Sequence, residues 1–114
     1  MPEGGRRVNA APPDGENTPG LASATQLKRT VTIVNRRGLH ARAAAKFVTM
    51  AERFGASIEV LRDGQSVSAR SIMGLMMLGA GLGSTIELQA DGWDAKEALD
   101  ALCGLVEAGF NEQD

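Results

Sequence analysis

Aromatic side chains are scarce: three Phe, one Trp and no Tyr in 114 residues. The core must therefore be assembled from Val, Ile, Leu, Met and Ala. Cysteine occurs once, as Cys103, which excludes an intramolecular disulfide and gives no sign of an oxidising compartment. Histidine also occurs once, as His40, so a metal centre would lack a second imidazole and no metal is expected. All four prolines lie within the first twenty residues. No run approaches the ~20 apolar residues of a membrane span. The N-terminal segment has no apolar stretch of the kind a secretory signal carries. The expectation is one small cytoplasmic domain with no membrane contact.

Net charge is only −2, but it is unevenly spread. Residues 28–70 hold nine basic and three acidic side chains, whereas residues 71–114 hold one basic and eight acidic. Such asymmetry suggests a basic face that meets anions or acidic proteins. The plainer reading is a solvated surface whose blocks mix once the chain folds.

Residues 1–26 are rich in Gly, Pro, Ala and Asn without apolar periodicity, and read as a disordered tail. Residues 27–114 form the domain. Residues 30–35 alternate as a half-buried strand, with Val31 and Ile33 inward. Residues 41–54 switch to a helical stripe of Ala44, Phe47, Val48, Ala51 and Phe54, and Gly55 reads as a left-handed cap. Residues 57–62 and 65–69 are strands joined by Asp63-Gly64, a two-residue hairpin signal. Residues 71–78 form a short helix starting at Ser71, and residues 84–90 alternate again with Ile86 and Leu88 inward. Residues 93–107 form the last helix, whose buried stripe is Ala95, Leu99, Leu102, Cys103, Val106 and Phe110, with Trp93 over its start. The order β-α-β-β-α-β-α predicts an α/β (α+β) open-faced sandwich. A four-stranded antiparallel sheet is covered on one face by three helices.

The single histidine sits in Arg36-Arg37-Gly38-Leu39-His40-Ala41-Arg42, at a strand-to-helix junction. No Ser, Thr, Asp or Asn caps this helix start, so the amides of Ala41, Arg42 and Ala43 are open to an anion. The helix end contributes ~0.3–1 kcal/mol, and charge-assisted bonds from Arg42 would add ~1.5–3 kcal/mol. A neutral imidazole offers one lone pair, which can attack phosphorus and form a covalent intermediate. Phosphoryl transfer needs mainly positioning and positive charge. A lone histidine at a helix start is also what an ordinary capping or surface residue looks like. A hydrolase triad is not expected, because no acid lies near His40 in sequence and no nucleophile elbow is present.

The segments Gly38-Leu39-His40-Ala41-Arg42 and Ser71-Ile72-Met73-Gly74-Leu75 together resemble HPr. That family is the histidine-containing phosphocarrier of the bacterial phosphoenolpyruvate-dependent phosphotransferase system. The resemblance spans residues 30–110. It implies that His40 takes a phosphoryl group on Nδ1 from enzyme I and passes it to an EIIA domain, and that Arg42 stabilises the phosphohistidine. It implies that Ser71 matches a serine that, in some bacteria, is phosphorylated on its hydroxyl by an HPr kinase/phosphorylase as a regulatory step. Docking of partners would fall to Ile72, Met73, Leu75 and Met76. No cofactor is implied, and the expected chain is a monomeric carrier rather than a stand-alone catalyst. Ala43 stands where many members have proline, which leaves one more N–H for an anion. The motif Arg-Gly-Leu-His-Ala-Arg-Ala resembles the nitrogen-related regulatory branch more than the sugar-transport one.

Other residues have plain structural readings. Ser71 is first a helix N-cap, worth ~1 kcal/mol; a phosphate there would lie beside Arg70 and repel an incoming anion. Met73, Met76 and Met77 could pack in the core, but a short helix cannot bury every side. An alternative function keeps the fold and regulates by docking alone, without relay. Nucleic-acid binding is disfavoured because Thr30, Thr32, Glu59, Glu87 and Gln89 provide no stacking platform on the sheet.

Overall fold

The computed structural model describes residues 26–112. The elements are β1 (Gln26–Thr32), α1 (Ala41–Ala51), β2 (Ser57–Arg62), β3 (Gln65–Ser68), α2 (Ile72–Met77), β4 (Thr85–Asp91) and α3 (Ala95–Glu107). A 3-10 turn, Gly109–Asn111, follows. The strands form one antiparallel sheet in the order β1-β4-β2-β3.

Alternation along each strand decides the layering. Val31, Ile58, Val60, Ile86, Leu88 and Ala90 point into a core shared with Phe47, Val48, Leu99, Leu102 and Val106. Each large apolar side chain withdrawn there contributes ~1.5–3 kcal/mol. The opposite face carries Lys28, Thr30, Thr32, Glu59 and Thr85, all exposed. One polar face is what an antiparallel sheet without a second helical layer permits. Asp63 and Gly64 both adopt positive φ, 49° and 81°, so the β2–β3 hairpin closes through a two-residue turn whose twist matches its strands.

Several local expectations change. β1 begins at Gln26, one residue inside the expected tail; residues 1–25 of that tail lie outside the described residues. α1 stops at Ala51, and Gly55 is not a left-handed cap. The C-cap is Glu52 in right-handed geometry, and the chain leaves through tight turns, Arg53 N to Met50 O at 3.1 Å and Phe54 N to Ala51 O at 3.2 Å. Arg70 Nη2 then takes the Phe54 carbonyl at 2.7 Å. The amides of Gly55 and Ala56 donate to the buried Asp94 carboxylate at 2.8 and 2.9 Å. A Cβ at Gly55 would stand 3.0 Å from Nε1 of Trp93, the tip of an exposed side chain that can shift. Trp93 does not cover α3; it is 88% exposed.

Candidate functional site

His40 is the N-cap of α1, with extended backbone (φ −73°, ψ 178°) and no capping bond from its side chain. The first intrahelical bond runs from Ala44 N to His40 O at 2.8 Å. The three preceding amides, Ala41, Arg42 and Ala43, are the helix's unpaired N-terminal donors. No acidic residue occupies the first turn. Arg42 is exposed and makes no hydrogen bond or ion pair among the described residues, so its guanidinium is available. The sequence expectation of an uncapped, cationic helix start at His40 therefore has its geometric counterpart.

The loop that delivers His40 is pinned to the α2–β4 loop. Leu39 N donates to Ala80 O at 3.0 Å, and Ile33 N donates to Ser84 O at 2.8 Å. Gly38 takes φ +64° against this surface, where a Cβ would lie 2.4 Å from Ala80 O. A side chain is therefore excluded by contact as well as by dihedral. Asn35, 5% exposed, closes the loop from inside, with Nδ2 donating to Gly38 O at 2.9 Å.

The residue that sequence reasoning missed is Glu112. Its Oε2 is hydrogen-bonded to His40 Nε2 and its Oε1 accepts from Asn35 Nδ2 at 3.0 Å. His40 and Glu112 side chains are 17% and 10% exposed, so the pair is largely screened from solvent. The hydrogen bond from Asn35 and then that from His40 hold the Glu112 carboxyl below its ordinary range, against an opposing effect of desolvation. Glu112 is therefore ionised at neutral pH. Nδ1 of His40 meets no partner among the described residues.

Glu112 reaches His40 because the chain hooks after α3. Gly109, Phe110 and Asn111 take φ of 64°, 56° and 59° in succession. Left-handed geometry at two non-glycine residues costs of order 1–3 kcal/mol each. The hook is held by complete burial of Phe110 and by Lys46 Nζ donating to Phe110 O at 2.6 Å. Phe110 was legible as part of the α3 stripe, but the reversal after it had only Gly109 as a signal.

The second motif lies on α2. Ser71 is its N-cap and Oγ accepts from Gly74 N at 2.9 Å. Arg70, expected beside a Ser71 phosphate, is already bonded to the Phe54 carbonyl. Ile72, Met73, Met76 and Met77 are 40, 69, 40 and 75% exposed and form an apolar patch. Leu75, expected in that patch, is fully buried: it is the one face of this six-residue helix that must meet the core. Methionine suits a surface that repacks against different partners.

Residues 27–108 match the family described as PTS HPr component, phosphorylation site. The phosphocarrier protein HPr of Cupriavidus necator is 50% identical over 86 residues, 75% of this chain and 97% of that one. The phosphocarrier protein NPr of Shewanella violacea is 50% identical over 88 residues, 77% of this chain and 97% of that one. The crystal structure of an HPr from Thermoanaerobacter tengcongensis superposes with a TM-score of 0.74 at 44% identity, covering 77% of this chain and 99% of that one. With the family pattern running from β1 through to the end of α3, the chain belongs to the HPr/NPr family of phosphocarrier proteins.

Proposed function

We propose that this chain accepts a phosphoryl group on His40 Nδ1 from enzyme I and passes it to an EIIA domain. The observation that carries the proposal is the placement of His40 as an uncapped N-cap of α1, with the Arg42 guanidinium, unpaired among the described residues, two residues on. The Nδ1 lone pair attacks phosphorus, and the donor's bond to phosphorus breaks with its electron pair staying on the donor. The product ring carries phosphorus on Nδ1 and hydrogen on Nε2. The amides of Ala41, Arg42 and Ala43, with Arg42, face the three phosphoryl oxygens. Transfer onward reverses these steps at the acceptor. The ring gives back the phosphoryl group unchanged, so the chain is a carrier rather than a catalyst with a cycle of its own.

The exposed Ile72, Met73, Met76 and Met77 give donor and acceptor a common docking surface. Ser71 lies at the edge of this patch, where phosphorylation by an HPr kinase/phosphorylase would introduce charge and weaken docking. Identity is the same to a relative named HPr and to one named NPr, so the branch is to be read from which EIIA accepts the group. The chain would act as a monomer, in the cytoplasm.

The test is incubation with phosphoenolpyruvate and enzyme I. An acid-labile, base-stable adduct is expected in the parent and in Ser71→Ala, and none in His40→Ala. Labelling that survives loss of His40 overturns the proposal.

A further inference from the structure

We infer that Glu112, itself held by Asn35, is a positioning residue that ties up Nε2 of His40 and thereby presents Nδ1 as the nucleophile. The inference rests on the phosphocarrier reading and adds to it the group that decides which ring nitrogen reacts.

Three observations converge. First, the contact is to Nε2 and not to Nδ1. A carboxylate can only accept, so Nε2 carries a hydrogen, and in the neutral ring the lone pair is then the one on Nδ1. Second, both Glu112 oxygens are used, one by His40 and one by Asn35, and Asn35 is anchored in turn to the Gly38 carbonyl. The chain Gly38–Asn35–Glu112–His40 fixes the ring relative to the loop that carries it. The same amide leaves Asn35 Oδ1 buried without a partner among the described residues, because pointing Nδ2 at two acceptors turns the oxygen away. A buried acceptor left unmade is unfavourable, and its retention argues that the orientation of Nδ2 is under constraint. Third, the backbone that brings Glu112 in passes through left-handed Phe110 and Asn111, an arrangement that burial of Phe110 and the Lys46 bond maintain. Strain of this kind persists only where the surroundings enforce it.

The position calls for a carboxylate. Glutamine has one acceptor oxygen: set on Asn35 Nδ2, it leaves an amide N–H to donate to Nε2, which moves the ring hydrogen to Nδ1; set on His40 Nε2–H, it turns the amide N–H against Asn35 Nδ2. Glu112 also stays beside Nε2–H after transfer, when the ring bears phosphorus on Nδ1 and is positively charged. The carboxylate therefore neutralises charge that exists only once the nucleophile has reacted.

The experiment uses the full chain and its Glu112→Ala and Glu112→Gln variants. In the unphosphorylated protein, ring 15N–1H spectra should reveal a His40 Nε2–H protected from exchange with water. In Glu112→Ala that signal should be lost to fast exchange while the backbone spectrum of the sheet is retained. Phosphoryl acceptance from enzyme I should then fall roughly ten- to hundredfold in kcat, the loss of one charge-assisted hydrogen bond, with KM little changed. Glu112→Gln should lie between parent and Glu112→Ala. A ring proton that exchanges equally fast in the parent and in Glu112→Ala overturns the inference, as does a kcat that is the same in both. If the parent takes no phosphoryl group, the phosphocarrier reading fails instead, and the ring-proton comparison still decides the role of Glu112.

Discussion

Replacing Gly38 by alanine tests how the fold holds its site. The residue has φ +64°, and a Cβ would come within 2.4 Å of Ala80 O and 2.7 Å of Gly81 Cα. The left-handed dihedral costs ~1–2 kcal/mol for alanine. Relieving the overlap pushes the two loops apart, which breaks the 3.0 Å bond from Leu39 N to Ala80 O. That loss is worth ~1 kcal/mol, and the displaced packing of Leu39 and Ala80 adds ~1–3 kcal/mol. The sum is about 3–6 kcal/mol, a large part of the ~5–15 kcal/mol that a domain has in total. Urea unfolding should move to a lower midpoint with unchanged slope, and Tm should fall by at least about 12 °C. Because residues 35–40 also carry Asn35 and His40, phosphoryl acceptance should fall in the same variant. A midpoint shift equivalent to less than ~1 kcal/mol would refute the reasoning, since the clash is with backbone and no side-chain rotation relieves it.

Other substitutions separate core from surface on α2. Leu75→Ala should cost ~2–5 kcal/mol. Met77→Ser, at a position 75% exposed, should leave stability within ~0.5 kcal/mol and weaken binding to enzyme I, read by titration calorimetry. Ser71→Ala should lose ~1 kcal/mol, because the Gly74 amide loses its cap. The Glu112 carboxyl has a lowered pKa in the folded chain, so its contribution to stability is complete above its ordinary value of 4.5. That contribution is lost as pH falls through the lowered folded value. The stability difference between the parent and Glu112→Gln should therefore be open at pH 7 and close in acid; a difference that grows in acid would contradict the assignment.

The layering was legible because each strand buries alternate residues and each helix a single stripe. Val31, Ile86 and Leu88 on the strands, Ile33 just past the end of β1, and Phe47, Leu99 and Val106 on the helices are all in the core. The Asp63-Gly64 turn was legible for a local reason, since its dihedrals demand its residues. His40 and Arg42 were legible as a helix start without a cap. Glu112 was not, because it lies 72 residues from His40 and the reversal that brings it there depends on burial of Phe110. Gly55 was misread for a similar reason: the helix end is settled by Asp94 and Arg70, both distant in sequence. Leu75 and Met76 differ by one residue on one turn, and packing of α2 against α1 and β3 decides which is hidden.

The most direct test of the central claim is to locate the phosphoryl group. The 15N-histidine-labelled chain is treated with phosphoenolpyruvate and enzyme I, and phosphorus is traced by its coupling to ring nitrogen. The account predicts one phosphorus on Nδ1 of His40, discharged when an EIIA domain is added. Phosphorus on Nε2, or a chain that binds both partners and takes no phosphoryl group, would contradict it.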